Sequence, residues 1–186
     1  MSDYPKRKPN RLSNYDYSTP GAYFVTICTR DKKCLFWDTR QTSDATEADT
    51  IQPCTSASVG ADIIRPQNGT KLPASLSPAG SIVEQAIDNI PSVYSGVSVD
   101  KYVIMPNHVH ILLQIEGRED GRMLSAPTLS TIVGSMKRWA SRQTGATLWQ
   151  KSFHEHIIRN ERDYQEIWSY IDENPGRWTE DCFYIE

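Results

Sequence analysis

Tyr102-Val103-Ile104-Met105-Pro106-Asn107-His108-Val109-His110-Ile111-Leu112-Leu113-Gln114-Ile115 reads as two β-strands joined by the short turn Met105-Pro106-Asn107. Residues two apart on a strand share a face. His108 and His110 therefore project side by side, while Val109, Ile111, Leu113 and Ile115 point the other way. One face is built to bind and the other to pack. With Val97 to Ile104 as the preceding strand, the pair forms an antiparallel hairpin. Two adjacent imidazoles can chelate a divalent cation, although an isolated His-x-His is more often a surface or hydrogen-bonded pair. A metal held by two histidines needs a further protein ligand from elsewhere in the chain.

The segment from Asn160 to Gly176 carries a candidate. Asn160 suits an N-cap, Glu161 and Asp163 suit the positive end of the helix dipole, and Asn174-Pro175-Gly176 stops a helix. Tyr164, Ile167, Trp168 and Ile171 fall at i, i+3, i+4 and i+7, the spacing of a buried stripe. Tyr170 lies roughly 110° from the middle of that stripe, on the same rim as its i+4 neighbour Asn174. A phenol and an amide oxygen are thereby offered together.

The rest of the chain reads as one α+β unit. Ala22 to Thr29 alternates as a strand. Ala79 to Ile90 reads as a helix with Ile82, Val83, Ala86, Ile87 and Ile90 inward. Thr128 to Gln143 reads as a second helix with Leu129, Ile132, Val133, Met136 and Ala140 inward and Lys137, Arg138 and Arg142 on its later turns. Trp149 to Arg159 reads as extended. The segment 38–78 is rich in Ser, Thr, Asp, Pro and Gly without a sustained period, and is expected to be a flexible acidic insertion.

The chain resembles the REP-associated tyrosine transposases, a group of single-tyrosine HUH endonucleases related to the transposases of the smallest bacterial insertion sequences. The residues carrying the resemblance run from Arg11-Leu12-Ser13-Asn14-Tyr15-Asp16-Tyr17 through Gly21-Ala22-Tyr23-Phe24-Val25-Thr26-Ile27-Cys28-Thr29 to Tyr102-Val103-Ile104-Met105-Pro106-Asn107-His108-Val109-His110. They continue through Trp149-Gln150-Lys151-Ser152-Phe153, Glu155-His156-Ile157-Ile158-Arg159-Asn160, Tyr170-Ile171 and Asn174-Pro175. The resemblance implies a ferredoxin-like, RNA-recognition-type antiparallel sheet with helices packed on one face, as a single domain over residues 1–186. It implies metal ligation of Mg²⁺ or Mn²⁺ by His108, His110 and Asn174, and nucleophilic attack by Tyr170 on single-stranded hairpin DNA of the REP type. The expected product is a covalent 5′-phosphotyrosine. The protein is expected as a monomer or homodimer.

His154-Glu155-His156 repeats the alternate spacing, so a four-histidine zinc site is an alternative. Closed zinc sites usually include thiolates, which weighs against it. His156 agrees with the family pattern and is expected to support the site or to touch DNA, whereas His154 is expected to be peripheral. A catalytically idle nucleic-acid-binding module on the same fold is the alternative to an enzyme. Such a module would be expected to present stacking aromatics on its central strands, where this chain places histidines.

Composition is compatible with that reading. The 186 residues, 38% hydrophobic, suffice for one core. The net charge of −3 and isoelectric point near 5.8 run against a nucleic-acid partner until the distribution is considered. Residues 38–62 hold five acids against one arginine, whereas residues 1–33 hold seven bases against three acids. Lys6, Arg7, Lys8 and Arg11, with Lys137 and Arg138, are the candidate DNA-binding cations. No apolar run is long enough to span a bilayer, so no membrane partner is expected. The four cysteines, Cys28, Cys34, Cys54 and Cys182, form no C-x-x-C pair. A reducing cytoplasm is the expected compartment.

Overall fold

A computed structural model describes residues 15–38, 75–116 and 127–184. Four strands, β1 (Gly21–Cys28), β2 (Val97–Ile104), β3 (His108–Ile115) and β4 (His154–Ile158), form one antiparallel sheet in the order β2-β3-β1-β4. Helix α1 (Pro78–Asp88) and the short α2 (Ile90–Val93) connect β1 to β2, α3 (Leu129–Thr144) connects β3 to β4, and α4 (Glu161–Glu173) follows β4. This βαββαβ order is the ferredoxin-like arrangement expected from the sequence. The segment 39–74, which holds most of the expected insertion and Cys54, lies outside the described residues, as do Lys6, Arg7, Lys8 and Arg11.

Each helix starts where its cap residue dictates. The Ser77 side chain accepts from the Gly80 N–H, Thr128 from the Thr131 N–H and Asn160 from the Asp163 N–H, which satisfies donors that a helix cannot satisfy internally. Gly145, at φ 65°, ends α3 in the left-handed conformation that glycine adopts most readily. The main core lies between α1 and α3 and one face of the sheet. Tyr23, Val25 and Ile27 of β1 and Val109, Ile111, Leu113 and Ile115 of β3 meet Val83, Ala86 and Ile87 of α1 and Leu129, Ile132, Val133, Met136 and Ala140 of α3. At roughly 1.5–3 kcal/mol per fully buried large apolar side chain, this layer dominates the stability.

Helix α4 lies on the opposite face. Its Lys101 anchor comes from a β-bulge in β2: the register with β3 shifts between Val99 and Lys101, so that Val99 stands opposite Leu113 while Lys101 stands opposite Leu112. Strict alternation would send Lys101 to the core face with Val99. The extra residue, Asp100, turns Lys101 to the face of Leu112 and His110. There its ammonium meets Asp172 at 2.6 Å and sits 4.0 Å from the Trp168 ring centroid. The Tyr164 hydroxyl donates to the bulged Asp100 at 3.1 Å. The expected stripe of α4 does face the sheet, but at a shallower depth than its spacing predicts: Ile171 is buried, whereas Tyr164, Ile167 and Trp168 are half-buried. They cover a sheet edge and a polar bulge.

The turn between β2 and β3 is fixed from outside. The Leu35 and Phe36 N–H groups donate to the Pro106 carbonyl, the Thr29 N–H donates to the Asn107 carbonyl, and the Trp37 indole N–H donates to the Ile104 carbonyl. The same strap constrains α1, since a Cβ on Gly80 would stand 2.2 Å from the Phe36 carbonyl oxygen. That oxygen also accepts from the Ser77 N–H, so it cannot retreat cheaply. Gly80→Ala should destabilise the protein by about 2 kcal/mol or more through overpacking, read as a lowered denaturant midpoint with an unchanged slope. A midpoint equal to that of the wild type would contradict the close approach.

Candidate active site

His108 and His110 point to the α4 face of the sheet, fully buried and nearly so, with their Nε2 atoms 3.0 Å apart. Their outer nitrogens are held by neighbours. Asn107 uses its amide N–H groups on the carbonyls of Lys32 and Phe183, at 3.2 and 2.8 Å, so its oxygen is left as an acceptor. That oxygen lies 2.9 Å from Nδ1 of His108, which places the proton on Nδ1 and the lone pair of the neutral ring on Nε2. Nδ1 of His110 lies 2.9 Å from the Thr26 hydroxyl, its cross-strand neighbour. Burial pushes His108 down to about 4, with Asp181 opposing and Lys32 assisting. Burial also lowers His110 well below its ordinary value, and the neighbouring His108 adds to this. Both rings are neutral near pH 7, the state in which imidazole binds a metal.

Tyr170 completes the approach from α4. Its hydroxyl is 3.3 Å from Nε2 of His110, and its ring centroid is 5.2 Å from that of His110 and 6.0 Å from that of Phe24. The residue is 43% exposed, in contrast to the histidines beneath it. Burial raises the pKa of the phenol and Asp181 adds to the rise, while a hydrogen bond from the Asn174 amide lowers it. Asn174 is buried just past the end of α4, and its side-chain oxygen has no hydrogen-bond partner. A buried acceptor without a donor costs roughly 1–3 kcal/mol, and a cation would satisfy it. The expected neighbours Tyr170 and Asn174 are thus joined, with Tyr170 also reaching His110.

One contributor was not foreseen from the sequence. Asp181, beyond the 3-10 segment Asn174–Glu180, brings its carboxylate to 3.7 Å from Nε2 of His108. His108, His110 and Asp181 each offer a ligand atom, all within 4.8 Å of one another. A lone Asp in a C-terminal tail carries no spacing signal, so only the return of the chain across the sheet reveals it.

Other expected residues fall elsewhere. His154 and His156 lie on β4, separated from β3 by β1. His156 is exposed and pairs with Asp163 at 2.9 Å, so the structure does not gather four histidines and His156 does not reach the histidine pair. Lys137 is occupied in holding the loop before β4, donating to the carbonyls of Gln150 at 2.6 Å and Ser152 at 3.2 Å. It and the exposed Arg138 stand on α3, across the sheet from the histidines.

The two tyrosines of α4 should separate in stability. Tyr164→Phe removes the bond to Asp100 and should cost about 1 kcal/mol, whereas Tyr170→Phe, at an exposed position, should cost less than about 0.5 kcal/mol. Equilibrium denaturation checks the order. A larger loss for Tyr170→Phe would place that residue in the packing rather than at an open site.

No protein-family model matches the chain. A Haemophilus influenzae protein of uncharacterised function is 31% identical over 199 aligned positions, covering 97% of this chain and 94% of that protein. A second Haemophilus influenzae protein, provisionally named a REP-associated tyrosine transposase, is 29% identical over 82 positions, covering 39% of this chain and 46% of that protein. Among solved structures, a REP-associated tyrosine transposase bound to a REP hairpin matches with a TM-score of 0.53 at 20% identity, covering 96% of this chain and 74% of that one. The structural likeness shows the shared fold, and the sequence matches carry the relationship. The chain belongs to one family with the first Haemophilus influenzae protein, and part of it is similar in sequence to the second.

Proposed function

We propose that this protein cuts and rejoins single-stranded DNA beside hairpins of the REP type, with Tyr170 as the nucleophile. The observation that carries the reading is the hydroxyl of the exposed Tyr170 3.3 Å from Nε2 of His110, above a pair of buried histidines. In the cutting step the Tyr170 oxygen bonds to phosphorus and the bond from phosphorus to the 3′ oxygen breaks. The 3′ oxygen takes a proton from water and the phenol proton passes to solvent. The products are a 5′-phosphotyrosine and a free 3′-hydroxyl. Attack by a second 3′-hydroxyl reverses the step and joins strands without ATP, because the phosphotyrosine retains the ester bond.

The side chains assist in distinct ways. A tyrosine is a weak nucleophile with an ordinary pKa near 10, and burial holds Tyr170 higher still. The Asn174 amide donates toward the phenol oxygen and favours its ionised form. Phe24 stacks on His110 at 5.1 Å and stands edge-on to Tyr170, which keeps the imidazole and phenol in a fixed relation. His108, His110 and Asn174 are the residues that would hold Mg²⁺ or Mn²⁺. The orphaned Asn174 oxygen and the facing Nε2 atoms suit such an ion. When bound, that ion neutralises charge on a non-bridging phosphate oxygen.

Denaturing gels of labelled single-stranded REP-type hairpin with Mg²⁺ or Mn²⁺ test the reading. Tyr170→Phe should bind the hairpin within about twofold of wild type and form no covalent adduct, whereas His108→Ala should lose adduct by roughly 100-fold. Binding titrations run beside the gels need a stated salt concentration, because phosphate contacts are screened. Hairpin binding by the wild type with no adduct under either ion would mark an idle binding module. An adduct surviving Tyr170→Phe would place the nucleophile elsewhere.

A further inference from the structure

We propose that Asp181 is a carboxylate ligand of the divalent cation held by His108 and His110, so that binding of the ion fastens the C-terminal segment over the histidine pair. The inference rests on the reading of those histidines as ligands and assigns the site a further donor of different charge.

The distances discriminate between roles for Asp181. Its Oδ2 stands 3.7 Å from Nε2 of His108, too far for a hydrogen bond, for which about 3.2 Å is the outer limit. The spacing is also well beyond the roughly 2.7–2.9 Å of a charge-assisted contact, and the Nδ1 side of His108 is engaged by Asn107. Two donors on one cation at bond lengths of roughly 2.1 Å stand about 3.0 Å apart when adjacent and about 4.2 Å apart when opposite. The separations of 3.0 Å between the histidines and 3.7 Å from His108 to Asp181 fall within that span.

Burial adds a second argument. The Asp181 side chain is 3% exposed, and a carboxylate removed from water needs a compensating charge or several donors. The Phe183 N–H donates to Oδ1 at 2.7 Å. That bond turns Oδ2 toward the histidines. A carboxylate with two imidazoles and an amide oxygen is a donor set suited to a hard or borderline ion such as Mn²⁺.

The segment carrying Asp181 is also seated on the site by its neighbours. The Phe183 ring lies 4.7 Å from that of His108, its carbonyl accepts from Asn107 at 2.8 Å, and Lys32 stands 5.4 Å from the Phe183 ring centroid. Asn107 therefore links the proton position on His108 to the position of the C-terminal segment. An ion gripping Asp181 and His108 would tighten the same contacts.

Calorimetric titration of the full chain with Mn²⁺ tests the proposal without reference to cleavage. Asp181→Asn keeps the size and the acceptor for the Phe183 N–H but loses the charge, and should weaken Mn²⁺ binding at least tenfold, while His108→Ala should abolish it. Asp181→Asn binding Mn²⁺ within twofold of wild type, with His108→Ala silent, would overturn the role of Asp181 and leave the histidine reading standing. Mn²⁺ binding unchanged in His108→Ala, or absent from the wild type, would overturn both. Hydrogen exchange on the wild type needs no variant: the amides of residues 181–183 should gain protection at least tenfold on Mn²⁺ addition, and unchanged protection would overturn the fastening of the segment.

Discussion

The site depends on the burial of two neutral imidazoles side by side with their Nε2 atoms 3.0 Å apart. Rings taken out of water lose its hydrogen bonds, so a partner for each outer nitrogen offsets part of that cost. Asn107 and Thr26 supply those partners. Asn107 is itself pinned through its amide, and its carbonyl is pinned by Thr29. The strap at residues 35–37, the turn at residues 105–107 and the C-terminal segment all converge on orienting the two rings. The ordinary core, between α1, α3 and the far face, supplies the rigid sheet on which this is built.

The second constraint is the placement of α4. The helix crosses a face that would otherwise be open, and few apolar side chains hold it there. Its anchors are largely polar: Lys101 with Asp172, Lys101 over Trp168, and Tyr164 with Asp100. Partly buried ion pairs fix geometry better than they add stability. A helix fastened in this way holds Tyr170 at a set height over His110 while leaving the residue 43% exposed, as the proposed nucleophile would require.

Charge completes the picture. Burial lowers the pKa of both histidines and raises that of Tyr170, and the Asp181 carboxyl group stands 3.7 Å from His108. Under the proposed function, a divalent ion on this cluster would supply the positive charge that draws in an anionic phosphate.

Periodicity alone determined much of this. Alternation placed His108 and His110 on one face of β3 and Val109, Ile111, Leu113 and Ile115 on the other. The 3.6-residue period set Tyr170 apart from the stripe of Tyr164, Ile167, Trp168 and Ile171, and cap residues fixed the starts of three helices. These are local properties, legible because side-chain direction repeats along a strand or helix. The tertiary structure decided what local rules cannot encode. The bulge at Asp100 reverses the face of Lys101, against the alternation of β2. Lys137 turned to the loop carbonyls, and His156 turned to Asp163. Asp181 reached the histidines through a contact spanning more than 70 residues, made by a segment with no period of its own. Position along the chain carries no information about such a contact, because only the packed sheet and the return of the chain across it bring the groups together.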